Sequence, residues 1–514
     1  MKNITKNLFK LINEQQNTIM FLFFVFIYLV FGFCFNFYND EIVKVWNGIS
    51  FGMDTGRVYE SLTNVKGFHA HFAHPLVSLF TVPIFYFAKG IFASTRASSI
   101  SILAIVGALN VTILFSLLKK ITNNKKISLL SALVYGYGFS TFVFATLFEN
   151  YIFAAFFNLV LLFYMFLLKN TEKKLGNVEI FTLAILTIFS FGINLINVVN
   201  CLFIVVFLIF FKEEKNIKSF LKKFLKYIFV FIVLCTPLVY LQKISYGNDV
   251  FLESFRFENG KVSHKMVNSF KDTKTSTKKI KRVFQNNLVL PFYCSKLQTK
   301  KVKRFSFYRK DLNSIYTTKQ KQEYHDNIAI LKSDCKFSYC IFASIFLLLH
   351  LIFYIKQNKK IQNKSIIKFL FLIVVLNILM NYFFDSNEGF LFSQNFFIFL
   401  VLMLGIVASN IKNKYIEYIW GLFVFFQICR NCCCLVKMKN IFYLNMTNHC
   451  SFFRYILFAF VVTSFIAFLI YLFKKIIKKD LFLKSELSFT ILSDMYLVYC
   501  VVFAVFAVLF AGRA

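Results

Sequence analysis

Between residues 40 and 74 the chain carries Asp40, Glu41 and Asp54, then Arg57, then His69, His71 and His74. A carboxylate held at a hydroxyl draws off its proton as the oxygen attacks an electrophilic carbon. Cationic side chains or a bound metal then stabilise a departing phosphate. Arg57 lies three residues after Asp54, one turn on if the segment is helical. From there it either clamps a phosphate bidentately or pairs with Asp54. The spacing of His69, His71 and His74 suits a divalent cation, which Glu149 would complete. Hydrogen-bonded structural histidines are the commoner case, so no metal site is assigned and no other cofactor is called for. His74 equally suits donation to a substrate phosphate.

The elements that must hold these residues are membrane spans. Of 514 residues 58% are hydrophobic, 74 are Phe and 4 are Pro, with a mean hydropathy of +0.64. The apolar residues run in blocks long enough to cross a hydrocarbon core, not at the spacing of a half-solvated helix. The first block, at about 18–37, follows Lys2, Lys6 and Lys10 and has no small-x-small cleavage site, so it reads as a retained anchor. Further spans are expected at 75–92, 98–118, 128–147, 150–168, 178–193, 196–211, 227–242, 338–355, 366–384, 390–409, 415–429, 453–473 and 489–511. The expected fold is therefore an all-α polytopic membrane bundle of about 13 transmembrane helices. Its parts are an N-terminal module at 1–242 with a first exofacial loop at 38–74, a basic exofacial loop or small domain at 243–337, and C-terminal helices at 338–514.

Lysine runs orient the bundle. They are Lys119, Lys120, Lys125 and Lys126; Lys169, Lys173 and Lys174; Lys212 to Lys226; Lys356 to Lys368; Lys412 and Lys414; and Lys474, Lys475, Lys478 and Lys479. From residue 119 onward they fall on alternate loops and are cytoplasmic by the positive-inside rule, as is the N-terminus. The net charge of +35 is thereby explained without nucleic acid. One conflict remains: two crossings at 75–92 and 98–118 would put the run at 119–126 outside. Segment 75–92, with Pro75 and Pro83, is therefore predicted to be re-entrant or juxtamembrane, packed against protein. The opposite loops then collect the acids of 40–74, Glu149-Asn150-Tyr151, Gly192 to Asn197, and Asp385 to Glu388. Ionisable groups at span ends are functional candidates. Asn194 and Asn197 suit a sugar or the backbone of a tight hairpin, and Asp385 with Glu388 an acceptor, a metal or water. The cysteines of 429–450 stay unassigned.

The stretch Phe51-Gly52-Met53-Asp54-Thr55-Gly56-Arg57-Val58, the tripeptide His74-Pro75-Leu76, then Glu149-Asn150-Tyr151 and Gly192-Ile193-Asn194-Leu195-Ile196-Asn197 resemble the GT-C superfamily of membrane glycosyltransferases. They are most similar to Rgt-type bacterial members, and more distantly to protein O-mannosyltransferases and aminoarabinose transferases. The resemblance covers roughly residues 18 to 200, with a weaker echo at 385–394. It implies an inverting transferase in a bacterial inner membrane, moving a sugar from a polyprenyl-phosphate donor to a glycan, lipid or protein acceptor of the cell envelope. Asp54 matches the expected general base; Asp40, or the pair Asp40-Glu41, is the other candidate. Arg57, His69, His74, Glu149, Asn197 and Glu388 are the expected substrate-binding residues. A transporter or lipid flippase is the alternative reading. It would show internal repeats and broken helices meeting near the midplane, and the sequence has no repeat.

Overall fold

The computed structural model describes residues 2–35, 76–92, 94–172, 174–195, 197–212, 216–246, 280, 283–293, 297–304, 324–331, 337–357, 363–384, 389–411 and 415–443. The apolar blocks form helices: α1 (Lys2–Phe35), α2 (Val77–Phe92), α3 (Thr95–Thr122), α4 (Lys125–Gly136), α5 (Phe139–Thr146), α6 (Tyr151–Lys169), α7 (Asn177–Ile193), α8 (Asn197–Lys212) and α9 (Ile217–Tyr246). After the basic segment come α10 (Phe337–Gln357), α11 (Lys364–Phe384), α12 (Gly389–Ser409) and α13 (Tyr415–Tyr443). Among the described residues four helices are long and apolar enough to cross a membrane, or five if α4 and α5 form one bent span. Five shorter apolar helices accompany them. The predicted spans at 453–473 and 489–511 lie outside the described residues.

Local signals explain the turns. Asn123 ends α3 in the left-handed region (φ 54) with its N–H on the Lys119 carbonyl, and Asn124 caps α4 by accepting from the Ile127 N–H at 3.1 Å. Packing then sets direction. Helix α1 runs antiparallel to α3: Gln16 meets Lys119 at 3.5 Å, Tyr28 lies against Gly107, and Gly32 against Ile100. A Cβ on Gly107 would stand 2.6 Å from that of Ala145, so only glycine admits this approach.

The lysine ends gather on one side. Lys126 pairs with Glu417 at 3.0 Å, and Asn363 donates to the Ile121 carbonyl. Lys212, Lys223 and Lys226 reach Thr171, the Leu175 carbonyl and Asn177, and so tie α8 and α9 to the loop between α6 and α7. Among the described residues, the lysines of 119–126, 169–174 and 212–226 thus lie at one basic end; the runs at 412–414 and 474–479 lie outside them. Helix α2 does not join the two ends. Its entry residue Leu76 donates to the Gly192 carbonyl at the far end of α7, and its last residue Phe92 is followed closely by Thr95, the end of α3 remote from Lys119.

The structure adds detail to these expectations. Segment 128–147 is broken into two helices meeting at 58°, which together are apolar enough to count as one bent span. The first span, expected at about 18–37, is the stretch Gln15–Phe33 of a helix that begins at Lys2, and α13 continues to Tyr443, past the expected limit of 429. The described fold is helical, as expected, with one added hairpin inside 243–337, where β1 (Leu297–Arg304) pairs antiparallel with β2 (Tyr324–Leu331). Finally, part of that basic segment is core. Val283, Asn287, Val289, Leu290 and Phe292 are buried around a π turn (Gln285–Val289), packed on α10 and α12.

The buried stretch 283–293 explains how the broken helix survives. A break frees carbonyls and N–H groups, and away from water these need partners. The Phe139 and Ser140 N–H groups donate to the carbonyls of Phe292 and Pro291. Tyr28 donates its hydroxyl to the Gly136 carbonyl at 2.7 Å, Asn431 its amide to Tyr137 at 2.7 Å, and Gln427 its amide to Val134 at 3.0 Å. Gln427 and Asn431 also donate to the Phe292 carbonyl, at 3.2 and 2.9 Å.

Candidate functional site

Opposite the basic end, the helix interiors carry a layer of buried neutral amides and hydroxyls. Asn158 of α6 is its hub. Its oxygen accepts from the Ser190 hydroxyl at 2.8 Å; its nitrogen donates to Asn197 at 3.0 Å and to the Asn395 carbonyl at 3.5 Å. Asn197, fully buried, donates in turn to the carbonyls of Ala154 and Ser190. Asn200 donates to the Asn395 carbonyl and accepts from Asn377 at 2.6 Å. One turn along α11 from Asn377, Asn381 donates to Asn287 of the π turn at 2.5 Å. A second group joins α12 to the broken helix: Gln394 accepts from Ser140 at 2.8 Å and donates to the Tyr135 hydroxyl at 2.9 Å. Inside apolar helices such bonds act as interhelical glue, each worth roughly 1 kcal/mol.

The layer lies recessed. Asn110 of α3 donates to the Ile152 carbonyl at the start of α6 (3.0 Å). Since α3 begins at Thr95, it rises about 22 Å along its axis, at 1.5 Å per residue, beyond the point where α6 begins. Lys120 over the Phe163 ring places the two helices parallel. Helix α1, packed on α3 with Gly32 beside Ile100, rises with it. On one side, then, a wall of α1 and α3 overlooks the starts of α6 and α8.

Of the sequence-predicted residues, Asp40, Glu41, Asp54, Arg57, His69, His71 and His74 lie outside the described residues, as do Asp385 and Glu388. Both ends of the stretch that holds the acids of 40–74 are described. It leaves α1 at Phe35 on the wall and returns at Leu76 to the amide layer, where Leu76 bonds Gly192 at 2.7 Å. A Cβ on Gly192 would sit 2.5 Å from the Leu76 side chain. Glu149 and Asn150 are buried at the start of α6, 3% and 2% exposed. Asn194 is extended backbone ending α7, and Asn197 opens α8 with its N–H on the Asn194 carbonyl, so the two do not share a helical turn. Among the described residues no group of three or more His, Cys, Asp or Glu stands close enough to hold a metal.

The structure therefore brings together Leu76 of His74-Pro75-Leu76, Gly192 to Asn197, Glu149 to Tyr151, and, through Asn395, the start of α12 just past the 385–394 echo. Sequence reasoning missed Asn158, Ser190, Asn200, Asn377, Asn381 and Gln394. Their signal was present: amides are costly inside apolar spans, and Asn377 and Asn381 are spaced one turn apart. Elsewhere Cys434 is disulfide-bonded, while Cys201, Cys235 and Cys429 are free. No family model matches the chain, and no curated protein matches it.

Proposed function

We propose that this protein is a multi-pass glycosyltransferase of GT-C type in a bacterial inner membrane, with its basic end in the cytoplasm and its amide-lined end on the outer face. The observation that carries this reading is the Leu76–Gly192 bond. It holds Leu76, which directly follows the stretch bearing Asp40, Glu41, Asp54, Arg57, His69 and His74, at the same end of the bundle as Glu149 and Asn197, and so supports a site there. Neither end of α2 reaches the basic end, which supports its reading as a segment that does not cross and frees the lysine run at 119–126 to be cytoplasmic.

In the proposed reaction Asp54 takes the proton of an acceptor hydroxyl. The oxygen attacks the anomeric carbon of a polyprenyl-phosphate-linked sugar, the glycosidic C–O bond to phosphate breaks, and configuration inverts. Arg57, His69 and His74, with or without a divalent cation, take up the charge on the leaving phosphate. Glu149, Asn197 and Glu388 bind sugar or acceptor. Asp54→Asn in the purified, lipid-reconstituted protein should abolish transfer while leaving membrane insertion intact; full activity in that variant removes Asp54 as the base.

The 58° break between α4 and α5 favours a second reading, a transporter or flippase, because broken helices are a recurrent substrate-site device there. Liposome flux or lipid flipping by the pure protein, with no glycosyl product, would select it.

A further inference from the structure

The side-chain amide of Asn395 is fully buried, and neither its oxygen nor its nitrogen has a hydrogen-bond partner among the described residues. Its neighbours in sequence behave otherwise: Gln394 is bonded to Ser140 and Tyr135, and the backbone carbonyl of Asn395 itself accepts from Asn158 and Asn200. A primary amide buried with all its capacity unused is a costly feature, because it gives up water's hydrogen bonds and gains none in return. Its place in the fold makes that cost informative. Asn395 lies in the second turn of α12, with its backbone in the neutral amide layer, on the end of the bundle that receives Leu76. The described groups bonded in the layer around it are uncharged: amides, hydroxyls, backbone carbonyls and the Cys201 thiol.

We propose that the Asn395 carboxamide is a binding group for a neutral polyhydroxyl ligand, its oxygen accepting from one hydroxyl and its nitrogen donating to an adjacent one. This deepens the glycosyltransferase reading by naming the substrate class: the sugar is a neutral hexose, not a uronic or sialic acid. An amide offers one donor edge and one acceptor edge side by side, which matches vicinal hydroxyls and does not match a carboxylate. Full burial makes entry an opening event, so the ligand enters when the covering groups part.

The test uses the full chain in nanodiscs and soluble probes, so that it does not depend on a lipid carrier. Saturation-transfer NMR compares methyl hexopyranosides with the corresponding methyl hexuronates, on the wild type, Asn395→Leu and Asn395→Asp. The expected result is a signal for the neutral glycosides only, reduced about tenfold in Asn395→Leu, on the scale of losing hydrogen bonds to a buried partner. Asn395→Asp, which keeps an acceptor but loses the donor, should bind more weakly than wild type and still reject the uronates. Melting temperature is read in parallel. A more stable Asn395→Leu with an unchanged glycoside signal overturns the proposal and assigns the amide to a trapped water or to no ligand at all. Equal signals from neutral and acidic sugars also overturn it. The two readings separate cleanly: loss of transfer in Asp54→Asn with no effect of Asn395→Leu on glycoside binding sinks this inference alone. Specific glycoside binding in a protein that never transfers sugar sinks the enzymatic reading alone.

Discussion

The two ends of the bundle use polar residues in opposite ways. At the basic end the polar contacts are made by lysine side chains at exposed positions: Lys126 on Glu417, and Lys226 on Asn177. At the other end they are short, uncharged and enclosed: Asn158 with Ser190 and Asn197, Asn377 with Asn200, Asn381 with Asn287. Charge that stays in water sets orientation at little energetic cost. Amides that leave water must be satisfied almost completely, so each one records a specific neighbour. The basic end therefore supports the proposed orientation, and the amide end the proposed place of the site.

Substitutions can sharpen that contrast. The largest structural effect is expected from Gln427→Leu combined with Asn431→Leu, which strips donors from the carbonyls of Val134, Tyr137 and Phe292 together. At about 1–3 kcal/mol for each buried group left unpaired, the protein should melt well below wild type. Limited proteolysis should then cut within 283–293, and a protease-resistant 283–293 would show that helix packing alone holds it. Gly192→Val comes next, because its first side-chain carbon would enter the space of Leu76. About 1–3 kcal/mol of overpacking is expected, with increased thiol labelling of a reporter cysteine at Leu76 as the check.

Asn158→Leu should cost about 1 kcal/mol, the scale of an interhelical hydrogen bond in a membrane, measured as a lower melting temperature in detergent. If it proves neutral, the hub is redundant. The smallest effect belongs to the other end. Lys126→Ala or Glu417→Ala should change stability by less than about 0.5 kcal/mol, because this pair is largely exposed. A larger loss there would break the comparison.

The helices were largely legible before the structure. The predicted 150–168, 178–193 and 196–211 correspond to Tyr151–Lys169, Asn177–Ile193 and Asn197–Lys212, since each is an apolar run closed by lysine, asparagine or glycine. The break at Tyr137 and Gly138 was not legible. Both flanks are apolar, and what stabilises the break is a set of donors and acceptors more than 130 residues away in Phe292, Gln427 and Asn431. The buried stretch 283–293 was hidden for the same reason. Asn286-Asn287-Leu288-Val289-Leu290-Pro291-Phe292-Tyr293 is a short apolar island in a lysine-rich segment, too short to signal a span. Of the candidate site, the sequence exposed the charged residues and the loop ends, because charge beside an apolar block is conspicuous. It concealed the amide layer, because single asparagines inside such blocks look like interruptions until their partners are known.

The dependence of 283–293 on Gln427 and Asn431 also dictates an order of assembly. Once the chain has emerged through residue 293, the Phe139 and Ser140 N–H groups can already meet Phe292 and Pro291. The carbonyls of Tyr137 and Phe292 still wait for a helix encoded more than a hundred codons later. A nascent chain halted before α13 therefore holds this junction half-bonded, an incomplete intermediate of the sort that quality-control proteases recognise, and maturation is sealed by one of the last described helices to emerge.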